Sequence, residues 1–288
     1  MNHTRGKKMR IAVLNITSEP PFDPNRYLDL FNFIYEMDPA PIGIFGHERL
    51  TLYRCNIENG NVFGEFGRYT YIDPNSPWWD SDERKALLDS EGNPMPQVRE
   101  GIGPNFKEIT FYFFSKSHLL YFDLKNITPH QLLNGLTSII SNEEVLNNFG
   151  KVNITIMPKE DALDIVLRIP NLKNIKFSLT IPNPDTLNIY EKNFEERMAR
   201  MGARTTEQKF TSQTDKNLEP DAELISMMEL ASKNGYVQSA GKDADGKKIT
   251  RSTKQYPLIE KVVRYAGESK IKCLKRIGEF FTEEIKHL

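Results

Sequence analysis

Four cations, Lys247, Lys248, Arg251 and Lys254, crowd into eight residues of this chain, and Lys261 and Arg264 follow within the next ten. They sit in and after the phrase GYVQSAGKDADGKKITRSTK, where two strand-like runs, 236–240 and 248–253, flank a turn of Asp243, Ala244, Asp245 and Gly246. Asp-Gly between strands signals a hairpin, because glycine takes positive φ without steric cost. Lysine and arginine on a two-stranded ribbon reach phosphates on either side of a groove, and each contact releases counterion. Thr250, Ser252 and Thr253 add hydroxyl donors for phosphate oxygens. The chemistry expected of this stretch is therefore sequence-nonspecific binding of nucleic acid, with double-stranded DNA the first candidate. The plainer reading is a solvated edge hairpin whose lysines discourage strand-to-strand association.

Between residues 236 and 276 there are eleven Lys and Arg against four Asp and Glu, a local charge near +7. The whole chain carries −1, which leaves the remainder near −8. A near-neutral protein that gathers its positive charge in one place is a candidate for binding an anion there. The same asymmetry fits a module whose acidic and basic parts are complementary surfaces for self-association or for a protein partner. At 288 residues, 39% hydrophobic and 27% charged, the composition suits a soluble globular protein. No apolar run approaches the roughly 20 residues that span a bilayer. The start, MNHTRGKKMRIAVLNI, reads as a leader into a first strand, and two widely separated cysteines, Cys55 and Cys273, suit a reduced, cytoplasmic protein.

Other residue types offer less. Asp243, Asp245 and Gly246 resemble the start of a calcium loop, but lysines replace the later acceptors. His3, His47, His118, His130 and His287 show no metal-ligand spacing. Asp161 and Asp164 are helical neighbours with no lysine at nuclease spacing. There is no nucleophile elbow and no phosphate-cradling glycine loop. No catalytic residue, metal or cofactor is expected, and a nuclease or toxin with an unfamiliar site is the enzymatic alternative. Trp78 and Trp79 read as anchors pinning a long connection, with base stacking as the functional alternative.

The elements that must position the basic hairpin follow from periodicity. Strands are expected at 10–16, 50–57, 61–72, 108–114, 119–124, 151–157, 174–181 and 204–213. Helices are expected at 23–37 with Asp23 as cap, at 129–140 capped by Thr128, and at 160–169, 186–201, 220–233 and 268–285. A short helix is expected near 83–88 inside the long 73–107 connection. Residues 257–266 are ambiguous between helix and strand. The fold class is α+β, with antiparallel or mixed sheets and helices on one face. The phrase IPNPD at 181–185 ends a strand and suggests two domains, 1–182 and 183–288, the second carrying the hairpin and terminal helix.

Several phrases, RIAVLNIT, WW, ITFYFFSKSHLLYFDLKN with ITPHQLL, IPNPD and GYVQSAGKDADGKKITRST, resemble a bacterial family of uncharacterised proteins of similar length. The hairpin KDADGKKITRST followed by KIKCLKRIGEFF also resembles the corresponding part of the phage exclusion protein Rex A. That second resemblance implies a two-domain, homodimeric DNA-binding sensor or regulator in anti-phage defence, working with a membrane effector protein. It carries Lys247, Lys248, Arg251 and Lys254 over as binding residues.

Overall fold

The structure, a computed structural model, describes residues 6–19, 23–37, 42–95, 97–99, 101–180 and 189–287. The chain begins β1 (Lys7–Glu19), α1 (Pro24–Glu36), β2 (Ile42–Phe45), β3 (Glu48–Glu58), β4 (Asn61–Thr70), β5 (Trp78–Asp80) and β6 (Lys85–Leu87). It continues β7 (Lys107–Phe114), β8 (Leu119–Asp123), α2 (Pro129–Ile140), α3 (Glu143–Phe149), β9 (Lys151–Ile156), α4 (Ala162–Leu167) and β10 (Asn171–Thr180). It ends α5 (Ile189–Arg200), β11 (Thr205–Thr211), α6 (Ala222–Lys233), β12 (Gly235–Lys242), β13 (Lys248–Ser252), β14 (Ile259–Arg264) and α7 (Lys270–His287). The class is α+β, as the periodicity predicts, and the paired strands run antiparallel.

Eight strands form the large sheet, in the order β14-β1-β8-β7-β4-β3-β2, with β9 beside the C-terminal half of β1. Strands β7 and β8 are buried along the runs ITFYFF and LLYFD with no polar alternation, so both faces of the sheet are covered there. Ala12, Leu14, Phe111, Phe113, Leu120 and Phe122 face α1, α2 and α3. Ile11, Val13, Tyr112 and Tyr121 face Cys273 and Leu274 of α7. Helices therefore cover both faces of this sheet, where the sequence reading expects one. The caps are as expected. Asp23 accepts from the backbone N–H groups of Asn25 and Arg26, and Thr128 with Gln131 forms a reciprocal capping box.

The short helix expected at 83–88 is instead a two-strand hairpin, β5 with β6. The Asp80 carboxylate accepts from Asp82 N and Glu83 N, and Arg84 takes positive φ, so a tight turn closes before a helical turn can form. Trp78 is half-buried, as an anchor would be, and Trp79 is 65% exposed.

The small sheet has the order β11-β10-β12-β13. Ile175, Phe177, Leu179 and Val237 on its inner face pack with Leu163 and Val166 of α4 and Met228 and Ala231 of α6. The boundary expected at 182/183 runs through this arrangement. The small sheet takes β10 from before it, while β14 and α7 from after it join the large sheet. Two demands of the first half draw them back: β1 has an open edge that β14 pairs, and the sheet has an apolar face that α7 covers. The proline phrase at 181–185 lies outside the described residues, as does the start of the helix expected at 186–201. Asn15 Nδ2 donates to Asn234 Oδ1 at 3.2 Å, and Thr155 Oγ1 to Lys233 O at 3.2 Å, which ties β1 and β9 of the large sheet to the end of α6 beside the small one.

The fit of α7 is close. A Cβ on Gly278 would stand 2.1 Å from Phe114 Cε2, and that ring is held against Tyr112 and Tyr121. Gly278→Val is expected to cost about 1–3 kcal/mol through overpacking, read as a lowered urea midpoint.

The start of α7 is clamped by charge. Arg276 Nε and Nη2 donate to Glu268 at 2.9 and 3.1 Å, and Arg276 first, then the Tyr265 N–H, holds the Glu268 carboxyl below its ordinary value. A depressed folded pKa means the stabilisation is full above the unfolded value, about 4.3, and is lost as pH falls below it. Glu268→Gln should therefore lower the melting temperature at pH 7, and the gap from the parent protein should narrow at pH 3.5.

Candidate nucleic-acid interface

The hairpin forms as expected. Lys242 and Lys248 are the last cross-strand pair before the turn. Within the turn Asp243 Oδ1 accepts from Asp245 N at 3.0 Å and Lys247 N at 2.8 Å, and Gly246 takes φ 78°. The Asp243 carboxylate is thus occupied by backbone, which accounts for the calcium-like look of the phrase. Among the described residues no group of three or more His, Cys, Asp or Glu is placed to hold a metal.

Strand parity sorts the hairpin's residues between two faces. Ile249 and Arg251 sit opposite Gly241 and Ser239 and point inward. Arg251 Nη1 donates to Ile165 O at 2.8 Å and Arg168 O at 2.9 Å, closing the C-terminal end of α4. It is a structural cap, turned inward, and not the phosphate ligand that its place in the basic hairpin suggests. Lys248, Thr250 and Ser252 point outward. Lys247 is exposed in the turn.

The register extends that outer face across all four strands. Lys209, Lys176, Gln238 and Ser252 lie in one row, and Thr211, Asn174, Ala240 and Thr250 in the next. Lys209, Lys242, Lys248, Thr211 and Thr250 are exposed. Glu207 is the one carboxylate at these outward strand positions, and it pairs with Lys176 at 3.1 Å. Lys176 directly opposes Lys209, and Lys242 directly opposes Lys248. Like charges in direct opposition destabilise a sheet; Glu207 offsets this for Lys176 and Lys209, and the Lys242–Lys248 pair carries a cost that a bound anion would relieve. Tyr236 closes the far end, with the Lys254 ammonium 4.2 Å from its ring centroid.

Lys261 and Arg264 do not join this face. They lie on β14 opposite Arg10 and Lys7, at the edge of the large sheet, and strand parity puts them on opposite faces of it, Lys261 with Lys8 and Arg10, Arg264 with Lys7. The reason is again pairing, since β14 completes β1 and not the hairpin. Conversely, Lys176, Lys209 and Lys242 escape the sequence reading. The first two are brought to the hairpin by strands distant in sequence.

A family model described as a domain of unknown function, DUF4747, matches residues 7–279. The chain belongs to the DUF4747 family. The match runs from β1 into α7 and so takes in both sheets. None of the curated proteins compared with the chain matches it. Among the described residues no helix is long and apolar enough to cross a membrane.

Proposed function

We propose that this DUF4747 protein binds nucleic acid through the outer face of the small sheet, gripping the phosphate backbone without reading base sequence. Duplex DNA is the expected target. The observation that supports this is the row structure of that face: Lys176, Lys209, Lys242 and Lys248 on one polar surface, in two opposed pairs, against the single carboxylate of Glu207. Thr211, Thr250 and Ser252 add hydroxyl donors of the kind that contact phosphate. The resemblance to Rex A extends the proposal to a cytoplasmic homodimer acting as sensor or regulator in anti-phage defence with a membrane effector. Fluorescence anisotropy with a labelled duplex between 50 and 200 mM salt tests the binding step. Four lysine contacts predict a slope of log affinity on log salt of about −3.6. Absence of binding at the lower salt would overturn the proposal.

A second reading, a protein-interaction module, draws on a different surface. Trp79, Ile102 and Phe106 are 65%, 51% and 54% exposed along the 73–107 excursion, large apolar side chains that a protein partner would cover. Association through it would hold at high salt, which size-exclusion chromatography at two salt concentrations would show.

A further inference from the structure

At the Tyr236 end of the outer face, where the small sheet meets β9 and α2, lies a cleft of about 240 Å³. Its lining comes from both sheets, with Asn153 from β9, Ser178 from β10, His130 from α2, and Lys254 beside Tyr236. No Asp or Glu lines it. Among the described residues no carboxylate pairs with Lys254; its ammonium lies 4.2 Å from the centroid of the Tyr236 ring, whose hydroxyl donates to Glu207 at 3.2 Å. Lys254 stays open to solvent, and partial burial alone pushes its pKa below that of an ordinary lysine.

The donor set defines the ligand. An ammonium, an amide, a hydroxyl and an imidazole line the cleft from four separate elements, on Lys254, Asn153, Ser178 and His130. Donors approaching from several directions suit an anion with several oxygens arranged in three dimensions. A planar carboxylate would meet one or two of them. The volume falls below the roughly 300 Å³ at which sites for whole drug-sized ligands begin, so the cleft suits a phosphate with its sugar. Ser178 and Tyr236 belong both to the cleft lining and to the outer face, so a strand lying along that face would bring its end here.

We propose that this cleft binds a phosphate monoester, either the terminal phosphate of a nucleic-acid strand or a free mononucleotide, with Lys254 as its counter-charge. The strand-end form rests on the nucleic-acid reading above. The mononucleotide form stands without it.

Calorimetric titration with three probes tests the cleft: a 5′-phosphorylated oligonucleotide, the same oligonucleotide with a 5′-hydroxyl, and adenosine 5′-monophosphate. A strand-end site binds the phosphorylated strand about tenfold tighter than its hydroxyl twin, the change one charge-assisted hydrogen bond produces. A free-nucleotide site binds the monophosphate and shows no preference between the strands. In either case Lys254→Met and Ser178→Ala, each with a melting temperature near that of the parent, should lose the effect. No preference between the strands together with no monophosphate binding would overturn the proposal, as would either effect surviving in both variants. If neither strand binds but the monophosphate does, the outer-face reading fails and the cleft stands.

Discussion

Replacing Lys176, Lys209 and Lys248 together by Gln weakens duplex binding at 100 mM salt by about 500-fold. The figure follows from counterion release. Each phosphate contact contributes about 0.9 to the salt exponent, worth about eightfold at this concentration, and three contacts multiply. The slope itself should flatten by about 2.7. Folding should change little, because Lys209 and Lys248 are exposed, the Lys176–Glu207 pair that is lost lies at the surface, and both opposed lysine pairs are relieved. Glu207 gives the opposite sign. It is the carboxylate that competes with phosphate for Lys176, at 3.1 Å, so Glu207→Gln should tighten binding. The proposed interface fails if the triple variant retains the parent's affinity and slope.

What the sequence disclosed of this site was what is local. The hairpin was legible because its turn residues act within a few positions, Asp243 on Asp245 and Lys247, and Gly246 through its own φ. The caps of α1 and α2 were legible for the same reason. The run at 83–88 was misjudged because the Asp80 side chain outcompetes helix formation, a contest between two local options that propensity alone does not decide. Residues 257–266 stayed ambiguous because β14 becomes a strand by pairing with β1, some 250 residues away. Counting charge along the chain found Lys248 but not Lys176 or Lys209, since only the register of β10 with β11 and β12 lays them beside it. The same counting gathered Lys261 and Arg264 into the site, though the sheet carries them elsewhere. Arg251 was different, because the signal was present. It shares strand parity with the apolar Ile249, and Lys248, Thr250 and Ser252 share the other. Alternation alone placed it on the inner face.

Arg251→Ala is therefore expected to separate stability from binding in the opposite way to the lysine variants. Helix α4 is only six residues long, too short to hold itself, and its last carbonyls need donors from outside. Arg251 supplies them to Ile165 and Arg168 from a strand whose side chain is half-buried at that point. Removing it leaves two acceptors without that donor and takes away a contact between α4 and β13. Hydrogen bonds from a charged donor contribute about 1.5–3 kcal/mol, so the variant should lose about that much in urea unfolding. Arg251→Lys should recover little, because one ammonium on a flexible stem does not reproduce a planar group fixed between two carbonyls. The fraction that remains folded should bind duplex DNA with the parent's salt slope. A slope flattened by about one unit, with stability unchanged, would return Arg251 to the phosphate contacts and move the interface off the outer face.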